Sequence, residues 1–266
     1  MSNMKIFHGL SEIAGQGFYT VKGLVENNYD AKMVVWRDST AGFANDYSFQ
    51  IDKKKIWKFP IWLLHIIKME AELLRQYDVY HFHFGRTLLL NHDLWIMRRR
   101  KKKVFFEFHG SDLRDYELAQ MSNPYLEYDH QTNKKNFKKR TEKIVHYSNG
   151  IILHDDELIT YLPKQCENIF VVPLRVDLSL FEPVYQAHQV DKIRIVHAPT
   201  NRIGKGSPQI IQIVQELEKD YPIEFILVEN KTQDEARKLY ASADIILDQI
   251  CIGTYGVFAI EGLALG

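Results

Sequence analysis

Short apolar runs rich in β-forming residues alternate with longer segments of helical period along the whole chain. Runs at Lys5–His8, Ala31–Trp36 (AKMVVW), Asp78–Phe84 (DVYHFHF), Lys103–His109 (KVFFEFH), Ile144–Tyr147, Gly150–His154 and Asn168–Pro173 (NIFVVP) predict strands. Between them, a glycine turn leads into a helix through Val21–Glu26, a second helix is predicted from about Ile61 to Gln76, and a long polar helix precedes Ile144. Strands separated by helical segments pair in parallel and build a doubly wound sheet.

The segment Pro183–Asp191 (PVYQAHQVD) is polar and has no clear period, so a linker is expected there, between domains at 1–185 and 190–266. A second alternation begins at Lys192: strand KIRIVHAP, helix Ser207–Leu217, strand Glu224–Val228, helix Thr232–Ala241, strand Asp244–Asp248 and a helix from Val257. The expected fold class is α/β, with two Rossmann-like domains, the second holding only three strands before Gly266. In open α/β sheets ligands sit beyond the carboxyl ends of strands, at the point where strand order reverses. The candidates for chemistry are therefore residues just after strands, and a cleft between two such domains is the natural site.

Composition narrows the class. The 266 residues are 45% hydrophobic and 26% charged, a globular composition with ample material for a core. Lys plus Arg equals Asp plus Glu at 34 each, so no global field recruits nucleic acid or anionic lipid. Cys166 and Cys251 lack CxxC spacing, which argues against a zinc or disulfide framework and fits a reducing cytoplasm. The stretch MSNMKIFHGLSEIAGQG has no continuous apolar run and does not read as a signal peptide. The run Ile61–Ile67 is interrupted by His65 and is far short of the ~20 residues of a spanning helix, so a soluble or peripheral protein is expected.

Several loops carry residues suited to chemistry. After the first strand, Ala14-Gly15-Gln16-Gly17 opens a helix; Gly15 and Gly17 would let backbone N–H groups touch a phosphate or sugar, or simply form a tight turn. After the fourth strand comes His109-Gly110-Ser111-Asp112, whose imidazole at a strand's carboxyl end could hydrogen-bond a sugar hydroxyl or polarise a reacting group, or be a satisfied structural residue. In the second half, Arg202 and Lys205 stand in a glycine-containing loop before a helix. There they could neutralise the charge a departing nucleoside diphosphate gains, or remain solvated. No DxD pair occurs, so protein cations rather than a metal are the expected means of neutralisation. Finally, the strand Ile245–Leu247 leads through Gly253-Thr254-Tyr255-Gly256 into a helix opening at Val257, with Glu261 about one turn in. That arrangement suits a phosphate at the helix N-terminus and a ribose diol on Glu261, and it also fits an ordinary strand–loop–helix crossover.

Other patterns read as structure. His81 and His83 share one strand face, as in a metal site. No Asp, Glu or Cys partner is evident at useful spacing, so they are assigned to strand packing and cleft lining. His154-Asp155-Asp156-Glu157 reads as a capped helix start. Positive charge is concentrated at Asp52–Leu64, Arg98–Lys103 and Lys134–Arg140. Aromatics beside lysine in Lys53–Leu64 suit an anionic membrane surface, solvated helix faces are the alternative, and no nucleic-acid-binding motif is present.

Taken in order, KIFHGLSEIAGQG, DVYHFHFG, FHGSDLR, VVPLRVDLSLFEP, APTNRIGKGSPQII and ADIILDQICIGTYGVFAIEGLALG resemble the group 1 (family 4) glycosyltransferases, two-domain enzymes of the GT-B fold. The resemblance implies retaining transfer of a sugar from a nucleotide-sugar donor, most readily a UDP-sugar, usually without a metal. The acceptor would be a saccharide or a lipid-linked one, in surface polysaccharide or glycolipid synthesis at the cytoplasmic membrane face. It further implies that Arg202 and Lys205 meet the donor diphosphate and that Glu261 binds the ribose. His109 would lie near the transferred sugar, and Gly15, Gln16, Gly17, Gly256 and Val257 would line the donor. Departure of the diphosphate from the front face would pass through an oxocarbenium-like state. The chain departs from the family in three ways: Gly253 stands where the first of two paired glutamates belongs, Arg202 and Lys205 are unusually close, and the family continues beyond Gly266. A degenerate nucleotide- or partner-binding subunit and a nucleotide-sugar epimerase are the alternative functions.

Overall fold

The computed structural model describes residues 4–50, 59–126, 137–185 and 191–266. The chain divides into two compact units. One comprises Met1–Asp115 and Asn133–Arg175, the other Tyr116–Thr132 and Val176–Gly266.

In the first unit β1 (Lys5–Leu10), β2 (Asp30–Val35), β3 (Tyr47–Ser48), β4 (Val79–His83), β5 (Lys103–Glu107), β6 (Gly150–Leu153) and β7 (Ile169–Val171) form one parallel sheet. The order β3-β2-β1-β4-β5-β6-β7 reverses direction between β1 and β4, which makes their carboxyl ends the switch point of a doubly wound sheet. Helices α1 (Gln16–Glu26), α2 (Phe59–Gln76), α3 (Leu94–Arg99) and α5 (Phe137–Tyr147) belong to this unit; α4 (Tyr116–Ser122) belongs to the other. Ile144–Tyr147, expected as a strand, is instead the last turn of α5. The Ser148 N–H closes an i→i−4 bond on the Ile144 carbonyl, and Ile144 is fully buried. A short apolar run on the buried side of a helix has the same local pattern as a buried strand.

Strand register separates two kinds of side chain. Phe7 lies level with Tyr80, Tyr80 with Val104, Phe82 with Phe106, and Phe106 with Ile151. Because side chains alternate faces along a strand, these residues share one face, and all are buried in the core. Phe7–Phe82 and Phe82–Phe106 ring centroids are 5.7 and 5.4 Å apart. On the opposite face His8 lies level with His81, and His83 with Glu107.

The second unit contains β8 (Ile193–His197), β9 (Ile223–Leu227) and β10 (Ile245–Ile246), parallel in the order β10-β8-β9. The one-turn helix α6 (Arg202–Lys205) runs through Gly206 into α7 (Ser207–Leu217). α8 (Gln233–Tyr240) and α9 (Val257–Leu265) follow. Gly206 has φ 74°, and a Cβ there would meet Ile250 Cγ1 at 2.5 Å and Cys251 Sγ at 2.8 Å, so the turn between α6 and α7 requires glycine. Thr232 and Glu235 form a reciprocal capping box at the start of α8. Val196, Tyr240, Phe258, Phe181 and Leu265 form this unit's core.

The short 3-10 helix Asp156–Tyr161 is capped by Asp155, which accepts from the Glu157 N–H, as the HDDE segment predicts. Residues 51–58 of the basic-aromatic segment and 134–136 of Lys134–Arg140 lie outside the described residues. Within Arg98–Lys103, Arg98 bonds His146 and Lys102 donates to the Tyr77 carbonyl. No described helix is long and apolar enough to cross a membrane.

The division of faces is testable by urea denaturation. Phe106→Ala is expected to cost about 3–5 kcal/mol, and Phe105→Ala, on the opposite face and only partly buried, less than half as much.

Candidate functional site

Polar groups gather at the carboxyl ends of strands in both units. In the first, β1 brings His8, β4 brings His81 and His83, β5 ends in Glu107 with His109 two residues on, and His154 follows β6. Strand alternation turns all of them to the face opposite the aromatic core. The imidazoles form a chain. His8 Nδ1 is 3.1 Å from His83 Nε2, His83 Nδ1 is 2.8 Å from His109 Nε2, and His109 Nδ1 is 2.8 Å from His154 Nε2. Glu107, with no solvent exposure, lies beside this chain. Its Oε1 is bonded by the Arg175 guanidinium and lies 3.6 Å from His154 Nε2, while Oε2 lies 3.0 Å from His81 Nε2 without meeting hydrogen-bond geometry.

Burial sets the protonation states. It holds the His8 and His109 imidazoles well below their ordinary range, pushes His83 down to about 3, and lowers His154, with neighbouring imidazoles adding to the effect at His8 and His109. Burial alone would raise the Glu107 carboxyl. The imidazoles around it, His83 first and then His81 and His109, nevertheless hold it well below the carboxylate range. The carboxylate is the favoured form of Glu107, and burial favours the neutral form of the His8, His83, His109 and His154 rings of the chain. A neutral ring carries one proton, and each of the three ring-to-ring bonds uses one. The fourth proton resides at a chain end, on His8 Nε2 or His154 Nδ1, the two chain nitrogens without a hydrogen-bond partner. Two overlapping groups have ligand-capable atoms within 4.8 Å of one another: His8, His81 and His83; and His83, Glu107 and His109.

The N-terminal glycine loop reaches this cluster indirectly. Gly15 takes φ 79° at the start of α1, where a Cβ would strike the Tyr19 and Phe43 rings. Gln16 is buried, and both ends of its amide hold Arg175: Oε1 accepts from the Arg175 N–H at 2.8 Å and Nε2 donates to its carbonyl at 2.9 Å. A Cβ on Gly17 would meet Met33 Cε at 2.4 Å. The loop thus fixes the residue that neutralises Glu107. His109, expected to face a ligand alone, has both ring nitrogens engaged by His83 and His154.

In the second unit, Lys205 Nζ lies 2.6 Å from Asp248 Oδ1, and Asp248 Oδ2 accepts the Gly256 N–H at the start of α9. A Cβ on Gly256 would stand 3.0 Å from Lys205 Nζ. Two of the expected residues, Lys205 and Gly256, are therefore brought together on one anion, which here is the Asp248 carboxylate. Arg202 is exposed and forms a two-pronged pair with Glu229. Val257 opens α9, and Glu261, one turn in, is buried and accepts from Gln233 Nε2. Burial raises the Glu261 carboxyl to about 7, against the opposing effects of Gln233 and Arg237.

Glu107, Arg175, His8, Asp248 and Gln233 escaped the sequence reading. The partner for His81 and His83 stands on the neighbouring strand, and only register brings it level with His83 and near His81. Arg175 is 68 residues from Glu107. One local signal was available: the alternation FEFH repeats the YHFH pattern of the preceding strand.

No protein-family model and no curated protein sequence matches the chain. Among solved structures, a glycosyltransferase from Rickettsia africae superposes with a TM-score of 0.58 at 12% identity, covering 100% of this chain and 78% of that one. A UDP-GlcNAc 2-epimerase from Neisseria meningitidis, solved with UDP-GlcNAc, gives 0.48 at 14% identity over 98% and 73%. A sucrose-phosphate synthase from Thermosynechococcus elongatus gives 0.36 at 11% over 80% and 98%. The first likeness shows the fold: α/β, Rossmann-like, of the GT-B type.

Glu261 makes the second unit's stability depend on pH. With a folded carboxyl at about 7 and an unfolded one near 4.5, the folded state holds the proton more tightly. The resulting stabilisation is present below pH 4.5 and is lost as pH rises to 7, on the order of 3 kcal/mol in all. Glu261→Gln should therefore be more stable than the parent at pH 8, with the advantage shrinking toward pH 5 in urea titrations.

Proposed function

We propose that the chain is a glycosyltransferase that moves a sugar, with retention, from a nucleotide-sugar donor to a saccharide or lipid-linked acceptor. A UDP-sugar is the first donor to try, and surface polysaccharide or glycolipid synthesis at a cytoplasmic membrane face is the setting. The observation that carries this reading is the junction of Lys205, the Gly256 N–H and the start of α9 on one anionic group. An ammonium and a helix N-terminus aimed at one point form an anion site, and Glu261 a turn further on supplies an acceptor for a ribose hydroxyl. The Asp248 carboxylate stands in for a phosphate, so a diphosphate reaching these donors competes with it. Arg202, exposed beside Lys205 on α6, can leave Glu229 for a second phosphate, because exposed ion pairs are worth little.

In this reading Gly15, Gln16, Gly17, Gly256 and Val257 serve the donor through backbone geometry. The diphosphate gains charge as it leaves, and Lys205 and Arg202 stabilise that charge without a metal at the phosphate. His109 acts through its cluster, since one of its nitrogens must be released by His83 or His154 before it meets a sugar hydroxyl.

Nucleotide binding tests the site directly. UDP, GDP or ADP at ~100-fold excess over its Kd should stabilise the folded chain by ~2.7 kcal/mol, with one base preferred. Lys205→Ala and Glu261→Ala should each abolish the shift, and Lys205→Ala should lower kcat/KM for the donor about 100-fold or more. A folded chain that no nucleotide stabilises would overturn the proposal. Turnover of donor alone to an isomeric nucleotide sugar, with no acceptor, would replace transfer by epimerisation.

A further inference from the structure

We propose that His83 Nδ1, His109 Nε2 and the Glu107 carboxylate bind one divalent first-row transition ion, with Zn2+ as the test case. The inference stands without the transferase reading, because every residue it uses lies in the first unit.

The two nitrogens are 2.8 Å apart, Glu107 Oε2 lies 3.9 Å from His83 Nδ1 and Oε1 lies 4.0 Å from His109 Nε2, and one ligand-capable atom of each residue lies within 4.8 Å of the other two. Metal–nitrogen bonds of about 2.0–2.1 Å place neighbouring tetrahedral ligands about 3.3 Å apart. The observed edges lie on either side of that value, so binding an ion would spread the two rings by about 0.5 Å and draw the carboxylate inward by roughly 0.5–1.5 Å. His83 and Glu107 end adjacent strands and lie level with one another, and His109 follows two residues after Glu107.

Hydrogen bonding gives a second, independent argument. A ligating histidine normally donates its other ring N–H to a fixed acceptor. His83 Nε2 faces His8 Nδ1 at 3.1 Å, and His109 Nδ1 faces His154 Nε2 at 2.8 Å, so each ligand has a partner on its far side. Placing an ion between His83 and His109 divides the imidazole chain into two halves whose N–H groups point outward from the metal. Each of the four rings keeps one proton, and the two outer nitrogens, His8 Nε2 and His154 Nδ1, carry the last of them.

The remaining groups are consistent with this. Glu107 Oε2 is buried without a hydrogen bond, while Oε1 is held by Arg175, leaving one oxygen for the ion. Arg175 opposes a cation electrostatically, which favours ions that gain from nitrogen coordination over Mg2+ or Ca2+, whose preferred donors are oxygens. Three protein ligands leave a position for an oxygen donor from solvent or substrate. The expectation that His81 and His83 only pack the strand rested on the lack of an acidic partner, and Glu107 supplies it.

The test uses the untagged 266-residue chain, stripped with EDTA and titrated with Zn2+ against a chromophoric chelator, and separately with Co2+ by visible absorption. One equivalent of Zn2+ should bind with sub-micromolar affinity, and Co2+ should give d–d bands of a nitrogen–oxygen site. Glu107→Gln and His109→Asn should each weaken binding at least 100-fold. His8→Gln, which removes only the acceptor behind His83, should weaken it about 10- to 100-fold, and the exposed His92→Gln should leave it unchanged. Failure of the parent chain, with a normal melting transition, to bind Zn2+ or Co2+ would overturn the proposal whatever the variants do. So would equal binding by a folded His109→Asn chain.

Discussion

A carboxylate with no solvent exposure has to be neutralised where it stands, and much of the first unit is arranged around Glu107. The Arg175 guanidinium bonds one of its oxygens, and the imidazoles of His81, His83, His109 and His154 surround it within 4.0 Å. Leaving such a charge unpaired in a protein interior costs on the order of 3–5 kcal/mol. That penalty explains why Arg175 is itself anchored, with both of its backbone groups taken by the Gln16 amide. The glycine turn after β1, which on its own reads as either a substrate loop or a tight turn, is thereby tied to Arg175. Gly15 sets the start of α1, α1 presents Gln16, Gln16 holds Arg175, and Arg175 balances Glu107.

The same strands carry the apolar core. Each central strand alternates an aromatic or aliphatic residue on one face with a polar one on the other, so a single sheet serves two environments. Phe7, Tyr80, Phe82 and Phe106 are fully buried on one side, and the histidines stand on the other, next to the point where the strand order reverses. A one-residue slip of β4 against β5 would exchange the faces and bury Glu107 among phenylalanines. The cost of that exchange specifies the register.

The second unit solves a smaller problem in a similar way. Its sheet also places the ends of β8 and β10 side by side, and the loops that follow bring Lys205, Asp248 and the Gly256 N–H to one point. Cation, carboxylate and helix N-terminus satisfy one another there. His197, buried at the end of β8 between the Leu247 carbonyl and Ser207 Oγ, fixes the start of α7 beside it.

The sequence by itself determined the α/β alternation, most strand and helix positions, the α7 span at Ser207–Leu217 and the loops that carry polar groups, because side-chain period and glycine turns are local properties. It also set Gly256 and Glu261 at the start of one helix, while Lys205 stood in a separate loop before α7. The tertiary structure alone decided that Ile144–Tyr147 is helical, since a buried helical turn and a buried strand share one local pattern. It decided too that His8, His81, His83, His109 and His154 meet around Glu107, and that Gln16 and Arg175 complete the arrangement. Apart from close neighbours in sequence such as Glu107 and His109, those contacts join residues 24 to 159 positions apart. They depend on strand order and register, which no local spacing encodes.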